Sequence, residues 1–145
     1  MILDSQALLS DAQAVSADAV STNTYDSGAA GNDVSIGEPL VVVISVDVAA
    51  DGTTTDETYE FQVIQSANAN LSSPDVLCYR AIGYASLTAG SKHVIPIPMA
   101  SKTKRYLGLN YNVGGTTPSV TVTAAIVPSS FADQYKNYAD GYVIS

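Results

Sequence analysis

Between Leu40 and Val127 apolar and polar residues alternate with a period of two, in short runs broken by Gly, Pro, Asp and Ser. No stretch of helical period long enough to form a crossover helix lies between these runs. Successive side chains of a strand point to opposite faces, so each run buries one face and wets the other. Leu40 to Val48 places Val42, Ile44, Val46 and Val48 on one face and Val41, Val43, Ser45 and Asp47 on the other. Thr58 to Gln65 repeats the pattern, with Tyr59, Phe61 and Val63 opposite Thr58, Glu60 and Gln62. Val76 to Tyr84 is the next candidate. His93 to Ile97 is short, and Pro96 and Pro98 lack backbone donors, which assigns it to an edge or a strand end. Arg105 to Val113 sets Leu107, Leu109, Tyr111 and Val113 against Tyr106, Gly108, Asn110 and Asn112. Ser119 to Val127 sets Val120, Val122, Ala124 and Ile126 against Thr121 and Thr123. Gly114-Gly115 offers turn geometry between these last two runs and predicts a hairpin.

Six or seven strands without amphipathic helices predict an all-β chain, a jelly-roll or two-sheet β-sandwich, with a small closed barrel as the competing architecture. The 145 residues suit one domain. It divides into an N-terminal arm and first strand (1–36), a β-sandwich core (37–128) and a Tyr-rich C-terminal tail (129–145). Ser5 to Val20 is rich in alanine and fits either a helix with Leu8, Ala12, Val15 and Ala19 on one face or an extended arm leading into a strand at Val20 to Asp26. Ser27 to Gly37 carries three glycines and predicts a flexible connection. In the tail, Phe131, Tyr135, Tyr138 and Tyr142 recur at spacings of four, three and four, as on one face of a short helix, although an extended tail also fits. Such a tail orders only against a surface, either its own domain or another chain.

Charge is unevenly divided. Residues 1–75 hold 12 carboxylates and no Lys or Arg, whereas residues 76–132 hold Arg80, Lys92, Lys102, Lys104 and Arg105 and no carboxylate. The net charge of −8 disfavours direct nucleic-acid binding, which requires several phosphates to be neutralised. A fold that gathers the basic strands would present them to an acidic partner, including the acidic half of a second copy. The longest apolar run, Leu40 to Ile44, is far short of the roughly 20 residues that span a bilayer, and Asp4 stands where a secretory signal carries positive charge. No membrane association is therefore expected.

Catalytic signatures are missing from the sequence. There is no Gly-x-Ser-x-Gly, no phosphate loop and no Gly-x-Gly-x-x-Gly. The single His93 and single Cys78 argue against a His- or Cys-based metal centre, and Cys78, between Leu77 and Tyr79, predicts a buried structural thiol. Asp47, Asp51, Asp56 and Glu57 could offer oxygen ligands to calcium, but their loop lacks the Asp-x-Asp-x-Asp-Gly pattern. No cofactor, metal or catalytic residue is assigned.

Several segments occur together in order: Met1-Ile2-Leu3-Asp4, Leu9-Ser10-Asp11-Ala12-Gln13-Ala14, Ser21-Thr22-Asn23 before Asp26 and Gly28, and Ile36-Gly37-Glu38-Pro39-Leu40. They continue with Lys104-Arg105-Tyr106-Leu107, Leu109-Asn110-Tyr111 and the strand ending at Ile126-Val127. Over residues 1–127 this string resembles the small capsid cement, or decoration, proteins of tailed bacteriophages, of the type found in a podophage that infects Bordetella. The resemblance implies a non-enzymatic virion protein, made in the host bacterial cytoplasm, that binds the major capsid protein on the outer surface of the head across capsomer boundaries and stabilises the shell. It also implies a homodimer, with trimers known among other cement proteins. The tail from Ser129 departs from the pattern. The expected protein-interface residues are Lys102, Lys104, Arg105, Tyr135, Tyr138 and Tyr142, chosen by charge and chain position. The alternative is a carbohydrate- or receptor-binding sandwich of a phage tail or adhesion structure, with tyrosines on an exposed strand face among Asn and Asp.

Overall fold

A computed structural model describes residues 7–27, 39–98 and 104–129. Nine strands occur among them: β1 (Leu8–Val15), β2 (Ala19–Val20), β3 (Tyr25–Asp26), β4 (Leu40–Val48), β5 (Thr58–Ser66), β6 (Asp75–Ala81), β7 (Lys92–Pro96), β8 (Tyr106–Gly114) and β9 (Val120–Pro128). A 3-10 turn, Tyr84–Ser86, follows β6. The strands form two antiparallel sheets, ordered β1-β9-β4-β7 and β2-β8-β5-β6, with β3 also on β8. The predicted all-β sandwich is what the chain forms, as two sheets rather than one closed barrel.

The alternation sets which faces meet. Val42, Ile44, Val46, Val120, Val122 and Ala124 of one sheet, and Tyr59, Phe61, Val63, Leu107, Leu109 and Tyr111 of the other, are all at most 2% exposed and form one core. Phe61 and Tyr111 meet edge to face, with centroids 5.8 Å apart and rings at 90°. Burying each such large side chain stabilises the fold by roughly 1.5–3 kcal/mol relative to leaving it wet.

Four expectations need correction. The alanine-rich N-terminal stretch is not helical: Leu8–Val15 is a strand beside β9, because Leu9 and Val15 point into the core while the helical face would have buried exposed Ala12. The strand expected at Val20 to Asp26 is two short pairings with β8, Val20 opposite Asn110 and Tyr25 opposite Leu107. The last two runs do not form a hairpin, since β8 pairs with β5 and β9 with β4, and Gly115–Ser119 carries the chain from one sheet to the other. Five residues easily reach across the roughly 10 Å between packed sheets. Val48 does not share the inward face of Val46. A register shift between Val46 and Val48 turns it outward, where it is 57% exposed.

Two loop regions lock the sandwich. At one end the β4–β5 and β8–β9 crossings are bonded together: Asp51 N donates to Ser119 O at 2.8 Å, and Tyr59 Oη donates to Asp51 O at 2.7 Å while accepting from Ser119 N at 3.0 Å. On the outer face of the β5–β8 pair, Leu71 from the β5–β6 loop packs where a side chain on Gly108 would stand, since a Cβ there would lie 2.3 Å from Leu71 Cδ1. Leu71 sits at φ 59°, a left-handed conformation that its burial and Leu71 N→Asn68 O hold in place.

Candidate functional site

The acidic residues that could have gathered a cation are engaged by threonines instead. Asp51 Oδ1 accepts from Thr53 N at 2.9 Å and Thr53 Oγ1 at 2.5 Å, and Asp51 Oδ2 accepts from Thr117 Oγ1 at 3.2 Å. Asp56 accepts from Thr54 Oγ1, Thr116 N and Thr116 Oγ1. Thr123 Oγ1 donates to Asp47 at 2.6 Å. The Thr53 hydroxyl first, and the Thr54 hydroxyl first, hold Asp51 and Asp56 respectively below the usual carboxylate range. Buried Glu57 accepts from Thr54 N at Oε1, which also competes with Asp56 for the single proton of Thr54 Oγ1, and has no hydrogen-bond partner at Oε2. Among the described residues no three His, Cys, Asp or Glu side chains converge to hold a metal ion.

His93 and Cys78 each contact a different group. His93 Nε2 lies 3.2 Å from Ser91 Oγ, and burial, followed by the Arg80 charge, lowers its pKa below the ordinary histidine value. Cys78 is half-buried rather than fully enclosed, because β6 is an edge strand. Its thiol donates to Pro96 O at 3.3 Å, and burial pushes its pKa up, away from thiolate character. A shallow depression of about 410 Å³, bounded by Glu60, Ala81, Gly83, Asn112 and Gly114, is lined by no histidine, cysteine or lysine.

The expected basic contacts are partly placed. Lys104 Nζ lies 2.7 Å from Asp75, and Arg105 grips both oxygens of Asp26 at 2.7 and 2.8 Å while stacking 5.0 Å from the Tyr106 ring centre. The Asp26 hydrogen bond raises the Arg105 pKa further. These two cations therefore tie the start of β8 to β3 and to β6. Lys102, Tyr135, Tyr138, Tyr142 and the tail from 130 lie outside the described residues.

An exposed strip that the sequence pattern did not single out lies on the outer face of the second sheet. Across its strands run Val20, Asn110, Gln62 and Tyr79, each directly opposite the next. At strand spacing this row is about 14 Å long. Asn110 Nδ2 donates to Gln62 Oε1 at 2.8 Å and Gln62 Nε2 donates to Glu60 at 2.5 Å, so the amides form a fixed polar strip. Apolar groups flank it, with Val20 37%, Val76 49% and Tyr79 66% exposed. The available signal was Arg80 inside an otherwise apolar run, a mark of an edge strand whose outward residues face water.

Such a two-sheet antiparallel sandwich defines an all-β fold class and by itself assigns no function. The profile of the Bbp16 family matches residues 9–126, and the chain belongs to that family. This is a Bordetella phage protein family. No curated protein matches the chain. Among solved structures, a chain in the structure of infectious bursal disease virus, Gx strain, is 16% identical with a TM-score of 0.34, covering 82% of this chain and 30% of that one. The present chain thus spans less than a third of that viral chain, and similarity at this level transfers no function. Among the described residues no helix is long and apolar enough to cross a membrane.

Proposed function

We propose that the protein is a non-enzymatic capsid cement, or decoration, protein that binds the major capsid protein on the outside of the assembled phage head, across capsomer boundaries, and self-associates as a homodimer. The observation that supports this most is the extent of the family match, which runs from β1 to β9 and so takes in the sandwich that presents the exposed strip. A cement protein needs only to bind the assembled lattice better than separated capsomers. Its binding free energy then adds to the stability of the shell by linkage, and repetition over many sites multiplies a modest contact. An exposed strip of mutually bonded amides between apolar groups suits such a contact, because few side chains lose freedom on binding. Lys102, Lys104 and Arg105 are proposed to steer the sandwich toward acidic capsid loops, and Tyr135, Tyr138 and Tyr142 to contact a neighbouring subunit.

Electron microscopy of heads assembled with and without the protein tests the proposal. Added density outside the shell, and heads that rupture sooner without it, are expected. Density elsewhere in the virion, or none, would overturn it. A second reading follows from Tyr79 standing beside Gln62 and Asn110, an arrangement that suits a sugar ring stacked on an aromatic face. Binding to a glycan array that is lost in Tyr79→Ala, without binding to heads, would favour that reading.

A further inference from the structure

We propose that a second copy of this chain adds to the free edge of β6, joining two copies of the β2-β8-β5-β6 sheet into one continuous sheet about a two-fold axis between Leu77 and Cys78. This rests on the self-association proposed above and supplies its interface. An open strand edge presents unpaired N–H and C=O groups, and proteins usually blunt such edges. The edges of this sandwich differ sharply in that respect. β1 is broken by two register shifts, with Ala12 at φ 47°. β7 carries Pro96, which has no donor, and its outward carbonyls at Val94 and Pro96 already accept from Arg80 Nη1 and Cys78 Sγ. β2 and β3 are two residues each.

β6 is seven residues long, contains no proline and has one irregularity. Ile82 N donates to Tyr59 O, toward β5, so by strand alternation Tyr79 and Ala81 direct their backbone groups toward the open side. Val76 and Tyr79, the large exposed apolar residues of this strand, share the outer face because they oppose Ile64 and Gln62. Arg80 and Asp75 oppose Phe61 and Gln65 on the inner side.

One register of antiparallel pairing between β6 and its own copy brings complementary groups together. Val76 meets the partner's Tyr79, Asp75 meets the partner's Arg80, and Leu77 meets the partner's Cys78, each pair on matching faces. The β-branched and aromatic pair covers the two largest exposed apolar groups of the strand. The charge pair occurs twice by symmetry and selects this register over its neighbours. Lys104 already holds Asp75 at 2.7 Å, so the carboxylate is oriented at the edge before the partner's guanidinium arrives. Among the described residues no strand pairs with the open side of β6.

Light scattering on the purified full chain, over a dilution series and without heads, tests the interface. The unaltered protein should be a dimer. Asp75→Arg and Arg80→Asp each place like charges together twice and should weaken the dimer at least about tenfold, as should Tyr79→Lys. Asp75→Arg combined with Arg80→Asp should restore the dimer, a recovery that a misfolded variant would not show. Lys104→Ala, which removes the same in-chain ion pair as Asp75→Arg, should leave the dimer intact. A monomer or trimer at every concentration, or a dimer indifferent to these changes, would overturn the proposal. Head binding is measured separately: a solution monomer that decorates heads would overturn this interface and leave the cement function, whereas a dimer with no affinity for heads would do the reverse.

Discussion

The Tyr111 hydroxyl on β8 lies 2.6 Å from Ser10 Oγ on β1, joining the two sheets through a buried polar contact. Ser10 Oγ uses its one proton on Gln13 Oε1 at 2.6 Å, so Tyr111 must be the donor. Gln13 passes the chain of bonds on, donating to Val20 O and accepting from Thr22 N, and so fixes the β1–β2 turn that carries the chain between sheets.

Tyr111→Phe keeps the ring and its packing on Phe61 while removing the donor, and should lower stability by about 1 kcal/mol, read as the urea midpoint at neutral pH. Burial holds the Tyr111 phenol above its ordinary pKa of 10.0. A raised folded-state value means that the unfolded chain releases its proton first. The stabilisation is therefore complete below about pH 10 and falls as pH rises beyond that, at up to about 1.4 kcal/mol per unit. The unaltered protein should weaken between pH 9 and 11 more than Tyr111→Phe does, with the remaining slope partly from Tyr59, whose pKa burial also raises. Equal slopes would show that the phenol does not stay protonated in the fold.

Two glycines separate steric from conformational constraint. Gly115 has φ 99°, and a Cβ there would stand 2.6 Å from the backbone oxygen of Asp56, whereas Gly90 has φ 83° with open space around it. Gly90→Ala should lose about 1 kcal/mol from backbone strain alone. Gly115→Ala should lose roughly 2–4 kcal/mol, because the Asp56 backbone must move and the lock between the crossing loops opens. Comparable thermal midpoints for the two variants would contradict this.

The same lock should be acid-sensitive. Asp51 and Asp56 have depressed pKa values, so their contribution is present above the ordinary carboxylate value of 3.8 and is lost as pH falls through the lowered ones. Asp51→Asn with Asp56→Asn should narrow the difference between melting points at pH 7 and pH 2. An unchanged difference would mean that other carboxylates govern acid unfolding.

Neutralising Lys102, Lys104 and Arg105 together should lower occupancy on heads at low salt and matter less at high salt. Because Lys104 and Arg105 already pair with Asp75 and Asp26, replacing Lys102 alone should account for much of that loss. Occupancy unchanged at low salt in the triple variant would remove the steering role.

The inward faces of β4, β5, β8 and β9 were legible because they are sets of residues two apart, and a period of two survives whatever the strand pairs with. Edge placement of β7 was legible from Pro96. The exposed strip was not, since Tyr79, Gln62 and Asn110 are far apart in sequence and become neighbours only through pairing. Nor was the exposure of Val48, which follows from a register shift relative to β9.

The amino-acid order by itself determined that this chain makes strands and which side of most of them is apolar, since both follow from local stereochemistry. Tertiary structure alone decided which strands are neighbours. The Gly-rich turn after β8 permits a hairpin as readily as a crossing, and the choice went to the arrangement that closes two apolar faces on one another and bonds Tyr111 to Ser10 across them. The same choice left β6 at an edge, with its polar and apolar side chains facing outward for another molecule to meet.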